Sequence, residues 1–562
     1  MTTAPHDTAA IDGAEAEVIR SYLAAAATEM RGTLVRTAFN PVIYEVLDFG
    51  ISIYDARMDL IAEAPGLTFF LGANDYSVRK VMEYLGEGAL APGDIILSNY
   101  PYWNAAHTHD ATLLAPVFDD DGALFSYLCI RAHWMDLGAK DPGYVLDSTD
   151  MHQEGIVFPG THVFRGGAPC REILEIIRYN SRMPDLVIGD LNAQVAALRT
   201  GERRLGELLR KFGRPRLEAA IAAIHTHGEA VTAAALATLP KGTWTARDFI
   251  DDDGIGDEPI EMQVTVTITD ESFEVDFAGS AGAAKGPVNM PFGSTIAMCK
   301  VVFKALTSPD RPSNGGQMRA LKVLAEPGTL FHAVYPAPTF TLWTGIVALE
   351  LIHKALAQAM PERMAASSGG DVPGFMMIGI HPDTGQMFAI SNNDPVGWGG
   401  TPAHDGANAL IHLSESIVRN TPVEVMESRT TMLMERMELR PDSGGAGQFR
   451  GGLGLARDIR FLGDGEFLTV VKKTKSAPWA AAGGREAGPT QVILHPGTGR
   501  ERRVSTHREP VRAGDRVRIL TAGGGGYGPP EARDPDAIRA DLAEGHVTPE
   551  GARRDYGFDP DG

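Results

Sequence analysis

Apolar residues recur at a helical interval near the start of the chain. Ile19, Leu23, Ala26, Met30, Leu34 and Val35 share one face of the segment 13–39, which predicts an amphipathic helix. Over 48–64 the period shortens to two, and the pattern predicts a hairpin turning at Asp55-Ala56-Arg57-Met58. Residues 76–85 read as a second helix, and Pro92-Gly93-Asp94 introduces a strand over 95–99. Two short apolar runs follow, ATLLAPVF at 111–118 and ALFSYLCI at 123–130. The Asp119-Asp120-Asp121-Gly122 between them ends in Asp-Gly, a strong hairpin signal.

From 171 to about 239 the period is helical again, with Leu174, Ile177, Leu191, Leu198, Leu205 and Leu209 in the buried stripe. Pro184 and Gly213-Arg214-Pro215 divide this stretch into separate helices. Its polar set, Asp190, Asn192, Gln194, Arg199 and Glu202, is most simply a solvated face. Residues 243–281 turn to strands, with 262–269 and 272–277 paired across Asp270-Glu271, and 294–306 is helical. The last third is rich in glycine, as in DSGGAGQFRGGLG at 442–454 and GGGGYG at 523–528. Neither has the Lys-Ser/Thr ending or the following helix of a phosphate loop, so both predict tight β turns with close backbone approach. A pair of short helices over 534–557 closes the pattern. The expected fold class is α+β, mixed and multi-domain. A β-hairpin-rich N-terminal region spans 13–170, a helical segment 171–240, a mixed α/β region 241–430, and a β-rich, glycine-rich region with terminal helices 431–562.

The hairpin register carries the chemistry. If Asp121-Gly122 is a two-residue turn, Asp120 pairs with Ala123 and Asp110 falls opposite His133. Directly paired residues have Cβ atoms ~5 Å apart, and two ligands at ~2 Å each can meet on one metal across that gap. His107, three residues before Asp110 in the incoming loop, can complete the set. Any one of these histidines could instead be a strand-end residue bonded to backbone; the convergence depends on the hairpin. His109 alternates with Asp110 and is expected on the other side. Two histidines and a carboxylate suit Zn, Mn or Fe(II). Asp136, three residues past His133, is positioned as an acceptor that fixes a ligand tautomer, or as a base toward water. Glu154, after a loop carrying Asp147 and Asp150, is a candidate ligand or acid/base group, or else a solvated carboxylate. There is no Gly-x-Ser-x-Gly elbow and no dinucleotide or nucleoside triphosphate signature, so an enzyme of this sequence would draw its chemistry from the metal.

Composition narrows the partners. At 562 residues the chain is long enough for two to four domains. Its 51 Lys and Arg against 72 Asp and Glu give a net charge of -21, which repels nucleic acid and anionic membranes. The first twelve residues lack a basic stretch followed by an apolar one, and no run of some eighteen apolar residues occurs, so a soluble cytoplasmic protein is expected. Cys129, Cys170 and Cys299 follow no metal-binding spacing and are expected to be buried thiols in a reducing compartment.

The collinear set LVRTAF (34–39), DFGISIYDA (48–56), PGDIILSNYPY (92–102), HTHD (107–110), RAHWMDLG (131–138), HQEG (152–155), GDLNAQVAALRTGERRL (189–205), GPVN (286–289), LRPDSGGAGQFRGGLG (439–454) and GGGGYG resembles the hydantoinase B/oxoprolinase family from about 16 to 557. The resemblance implies a two-component enzyme: an actin-like hydantoinase A-type subunit uses ATP to phosphorylate a substrate carbonyl oxygen, and the B subunit performs the next step. In the hydrolases that step is opening of a cyclic amide; in the acetone and acetophenone carboxylases it is carboxylation of an enol phosphate; a non-catalytic scaffold is the remaining alternative. The family's His-x-x-Asp followed by a later histidine carries over onto His107, Asp110 and His133. Many members have two histidines where this chain has Pro65-Gly66-Leu67-Thr68-Phe69-Phe70-Leu71-Gly72, which implies a more apolar or aromatic substrate here unless Phe69 and Phe70 simply fill core. A stable hetero-oligomer is expected, with the glycine-rich third supplying much of the partner surface.

Overall fold

Asp12 starts the first helix: its carboxylate accepts the Glu15 N–H at 2.7 Å, and the helix runs Gly13–Thr37 with Ile19, Leu23, Ala26, Met30 and Leu34 turned inward. The computed structural model describes residues 11–561 apart from 416, so most of the N-terminal stretch read as lacking a leader lies outside the described residues. Among the described residues no helix is long and apolar enough to cross a membrane.

The first helix covers one face of a seven-stranded antiparallel sheet. In spatial order its strands are Leu60–Glu63, Phe49–Asp55, Leu124–His133, Asp110–Phe118, Ile95–Ser98, Pro159–Arg165 and Ala168–Pro169. Side chains alternate between faces along each strand. Ile51, Ile53, Leu97, Leu113, Leu128 and Ile130 pack with the first helix and with Pro184–Phe212. Tyr54, Ile96, Leu114, Tyr127 and Cys129 pack on the opposite face with Val78 and Val81 of Thr68–Leu85. Cover on both faces explains why 111–118 and 123–130 are continuously apolar where a one-faced antiparallel strand would alternate.

The expected helical segment is three helices, Arg171–Asn180, Pro184–Phe212 and Arg214–Thr238, broken near Pro184 and at Gly213 as the prolines and glycine predict. A second sheet orders Leu321–Leu324, Phe273–Asp276, Ile260–Ile268 and Gly242–Ile250, backed by Phe292–Thr307 and Trp343–Ala359. The third (Met387–Asn393, Gly374–Ile380, Gly465–Val470, His507–Val511) and fourth (Met432–Leu439, Leu455–Phe461, Arg516–Leu520, Gln491–Leu494, Arg502–Val504) enclose a core that includes Phe375, Phe467, Ile459 and Ile519. Met376, Ile378, Leu468 and Val470 of the third sheet face the other way, toward Tyr144, Phe340 and Trp343. Because Gly374–Ile380 pairs with Gly465–Val470, hydrogen bonding runs across the boundary expected at 430.

The glycine-rich stretches do approach backbone to backbone. Gly524 N donates to Gly452 O at 2.9 Å, Gly445 N to Gly524 O at 2.8 Å and Gly452 N to Trp398 O at 2.8 Å. A Cβ on Gly451 would lie 1.7 Å from Gly524 O. Gly523–Gly526 are buried, so glycine serves close interior packing at these four positions.

Candidate metal centre

Asp110 and His133 are Cα partners in the ladder between Asp110–Phe118 and Leu124–His133, as the register argument requires. The route to that register differs from the expected one. Gly122 N donates to Asp119 O and Asp119 N to Ala123 O, so the loop has three residues, with Gly122 at φ +80°. The extra residue is absorbed by a bulge between Val117 and Phe118, which restores the pairing sum that a two-residue turn would have set.

His107 arrives on the loop after the one-turn helix Pro101–Asn104, whose C-cap Ala105 sits at φ +57°. The loop is clamped by side chains: Asn104 Nδ2 donates to Asp110 O at 2.6 Å, Asn99 Nδ2 to Thr108 O at 2.7 Å and Ser294 Oγ to Ala105 O at 2.8 Å. Arg131, fully buried, bonds Asn104 O and Ser77 Oγ. Below the hairpin, Gln194 accepts from Trp134 Nε1 at 2.8 Å and donates to Ala111 O and Ile130 O at 3.1 Å, tying both strands to the helix. Asp190 accepts from Phe39 N and Asn40 N, and Asn40 Nδ2 donates to His133 O. Two members of the polar set read as a solvated face, Asp190 and Gln194, are therefore buried braces.

One ligand-type atom from each of His107, Asp110 and His133 lies within 4.8 Å of the other two. His133 Nδ1 is 3.0 Å from Asp110 Oδ1, and His107 Nε2 is 3.5 Å from Asp110 Oδ2. His107 Nδ1, Asp110 Oδ2 and His133 Nε2 are buried without a hydrogen-bond partner. Unpaired buried polar atoms are costly, and three in one cluster fit a group that accepts electron pairs. Burial holds His107 well below the ordinary histidine range, so it is a neutral lone-pair donor. Burial also opposes charge on His133, but the hydrogen bond and charge of Asp110 outweigh it and raise that imidazole.

Sequence reasoning missed several neighbours. Asp48, just before Phe49–Asp55, is pushed up to about 7 by burial, with His133 opposing and Asp110 adding to the rise, and its Oδ1 is unpartnered. Because Phe49 pairs with Ala132, Asp48 stands beside His133, and His133 N donates to Asp48 O. Phe340 stacks on His107 with centroids 4.6 Å apart and planes 8° apart. It also meets His109 edge-on at 4.9 Å, so His109 lies beside the cluster and not on the far side. There Leu137 N donates to His109 Nε2 at 3.4 Å.

The two candidate catalytic carboxylates are engaged elsewhere. Asp136 accepts from Gly138 N at 3.1 Å and from Arg182 N and Nη1, and none of its hydrogen bonds reaches a histidine. Glu154 is neither solvated nor a wall of the cavity: it accepts from Ser148 Oγ at 2.7 Å, Thr339 N at 2.9 Å and Phe340 N at 3.1 Å. Its backbone carbonyl accepts from Thr108 Oγ1. Glu154 thus joins the histidine loop to the segment that carries Phe340.

A cavity of about 70 Å³ opens on the cluster. Asp48, His107, Asp110 and Tyr144 form its polar end, Asn393, Ser414 and Glu415 a second polar patch, and Leu67, Phe69, Phe70, Met298, Trp343 and Ile346 most of the remaining wall. Phe69 and Phe70 therefore line the cavity and also belong to the core beneath it.

The chain matches the hydantoinase B/oxoprolinase family model over residues 12–530. It is 29% identical over 97% of its length to a Pseudomonas sp. (strain NS671) protein named as the B component of a D-/L-hydantoinase, covering 95% of that protein. It is 28% identical to the beta component of the caprolactamase of Pseudomonas jessenii, over 98% of this chain and 97% of that one. The crystal structure of that ATP-dependent caprolactamase superposes with a TM-score of 0.89 at 27% identity, over 99% of this chain and 98% of the matched chain. A nucleotide-free acetone carboxylase structure shares the fold, with a TM-score of 0.86 at 18% identity over 96% and 79% of the two chains.

Proposed function

The chain belongs to the hydantoinase B/oxoprolinase family, and from that premise we propose that it is the B subunit of an ATP-dependent amidohydrolase, opening a lactam-type ring whose carbonyl oxygen a partner subunit has phosphorylated. The observation that carries the reading is the buried group His107, Asp110 and His133, with its orphaned polar atoms, at the end of a largely apolar cavity. These three would hold a divalent cation, Zn, Mn or Fe(II), with Asp48 as a further oxygen donor. When bound, the cation supplies Lewis-acid chemistry toward a carbonyl or phosphoryl oxygen and acidifies water.

The chain's own residues do the rest. Burial keeps His107 neutral, and the Phe340 ring fixes its plane. Tyr144, raised by burial, keeps its hydroxyl proton and can donate to an anionic oxygen. Phe69, Phe70, Met298 and Trp343 exclude water and fit a hydrocarbon ring better than a polar one, which agrees with the caprolactam-type relative. ATP would be consumed by an actin-fold A subunit in a stable hetero-oligomer, since the B chain carries no triphosphate signature.

The test is co-expression with the A subunit, metal analysis, and assay of ATP-dependent opening of caprolactam, hydantoin and 5-oxoproline beside bicarbonate incorporation into acetone. Ring opening that is lost with the metal in His133→Ala supports the reading. Bicarbonate incorporation in its place overturns hydrolysis for carboxylation, and full activity without metal overturns the metal centre.

A further inference from the structure

From Ser414, in the wall of the same cavity, runs a second chain of polar side chains that the metal chemistry does not use. His412 Nδ1 is 2.9 Å from Ser414 Oγ, and His412 Nε2 is 3.1 Å from Glu350 Oε1. All three residues are buried: His412 is fully inaccessible, Ser414 1% and Glu350 3% exposed. Glu350 extends from Trp343–Ala359, and its Oε1 also accepts from Ser368 N at 3.0 Å. Burial pushes this carboxyl up, and the hydrogen bond and charge of a protonated His412 hold it below its ordinary value, so the pair can stand as carboxylate and imidazolium.

The Ser414 N–H, which can only donate, marks His412 Nδ1 as the acceptor nitrogen and so fixes the resting tautomer. Nε2 carries the proton and donates to Glu350, which leaves the Nδ1 lone pair to accept from the Ser414 hydroxyl and, at 3.3 Å, from Ser414 N. The order hydroxyl, imidazole, carboxylate is that of a serine activated by a base which a third group orients. Ser414 is held from outside the loop as well, because Thr68 Oγ1 at the start of Thr68–Leu85 donates to Ser414 O. Ser414 lines the same cavity as His107 and Asp110.

We propose that Ser414 is a catalytic proton-transfer residue of this cavity, with His412 and Glu350 as the residues that position and activate it. Its part in the reaction rests on the ring-opening reading above. In the phosphorylated lactam the attacking water loses a proton as its oxygen bonds the carbonyl carbon, the C–N bond breaks with its electron pair going to nitrogen, nitrogen takes a proton, and the acyl phosphate that remains is hydrolysed by a second water to carboxylate and inorganic phosphate. Ser414 can pass the first proton to His412 Nδ1 and return it to the leaving nitrogen, so the relay ends as it began and the ring-opening step consumes only the attacking water. Glu350 compensates the imidazolium in between.

The activation can be read without substrate or metal. Methanesulfonyl fluoride, small enough for a tight cavity, sulfonylates an activated serine: Oγ bonds to sulfur, fluoride leaves, and the hydroxyl proton goes to the base. The complex of the chain with its A subunit is treated with the reagent, with and without prior chelation of metal, and mapped by mass spectrometry. The expected result is an adduct on Ser414 that forms in both samples and is slowed at least ~10-fold in His412→Ala and in Glu350→Gln. No adduct on Ser414, or an undiminished rate in His412→Ala, overturns the proposal. In the same complex Ser414→Ala should keep its metal and lower kcat by about 100-fold or more with little change in KM. Labelling of Ser414 with no ring-opening activity in the wild type would leave the activated serine standing and remove the lactam reading alone.

Discussion

Asp110 and His133 stand directly opposite each other in the ladder, with the carboxylate Oδ1 3.0 Å from Nδ1, although neither the turn nor the strand between them is regular. A one-residue slip of this hairpin would turn every side chain to the other face. The bulge at Val117 and Phe118 prevents that slip, since it offsets the third loop residue and returns His133 to the face that carries Asp110.

Each member of the closed set should therefore be needed for metal. His133→Ala and Asp110→Ala are expected to lower metal affinity by more than ~10-fold, a loss at least as large as those from outer-shell partners. His109→Ala should retain metal, because the converging ligand-type atoms belong to His107, Asp110 and His133 and not to His109. Metal content of the purified variants, measured by plasma mass spectrometry after dialysis, checks both.

Glu154 gives a prediction in pH. Burial raises its carboxyl to about 8, against an ordinary value of 4.5. Below pH 4.5 the folded and unfolded chains both hold the proton. Between there and about 8 the unfolded chain releases it and the folded chain does not, so the stability present at acid pH is lost progressively as pH rises through the folded value. Glu154→Gln keeps an oxygen for Ser148, Thr339 and Phe340 and removes the titration. The variant should gain on the wild type by a few kcal/mol, to order of magnitude, between pH 5 and 8.5 in denaturant unfolding. It should remain active, since the carboxylate braces the Phe340 segment and does not line the cavity.

What the sequence made legible follows the range of the interaction. The hairpin and His107, Asp110 and His133 lie within 27 residues of one another, so a turn signal and an alternation suffice to bring them together. Asp48 has a comparable signal, an acid at the head of an alternating strand. Its place beside His133 depends on Phe49–Asp55 pairing with Leu124–His133 across some seventy intervening residues, and no local pattern states that choice of partner. Phe340, Ser414 and Glu415 come from still farther along the chain. Asp190 is hidden for a different reason: a carboxylate in a polar stretch looks solvated until the backbone N–H groups it accepts from are known.

Asp136 carries a structural prediction where a catalytic one was expected. Its carboxylate bonds Arg182 at both backbone and side chain, and so ties the loop after the hairpin to the junction between Arg171–Asn180 and Pro184–Phe212. Asp136→Asn should keep its metal and lose about 1–3 kcal/mol of stability, the range for a buried hydrogen-bonding group left badly paired. Arg182 is about a third exposed, which places the loss toward the lower end. Thermal unfolding alongside metal content separates this outcome from loss of turnover in a chain of unchanged stability, which would restore the catalytic assignment.

The glycine layer of the last third gives the most severe prediction. Gly451 and Gly524 are packed carbonyl against Cα, and a methyl on Gly451 would sit 1.7 Å from Gly524 O, with backbone as the only thing that could move. Gly524 is fixed in turn by its hydrogen bonds to Gly452 and Gly445, so relaxation would have to pass through both glycine-rich stretches at once. Gly451→Ala should therefore cost more than ~4 kcal/mol, in the range reached only by core overpacking or backbone strain, and should appear as loss of soluble chain. Gly499→Ala is the control: nothing lies within 4 Å of the added carbon and its φ is ordinary, so the melting temperature should stay within a degree or two or rise slightly. A soluble, normally melting Gly451→Ala would mean that this layer is loose enough to open.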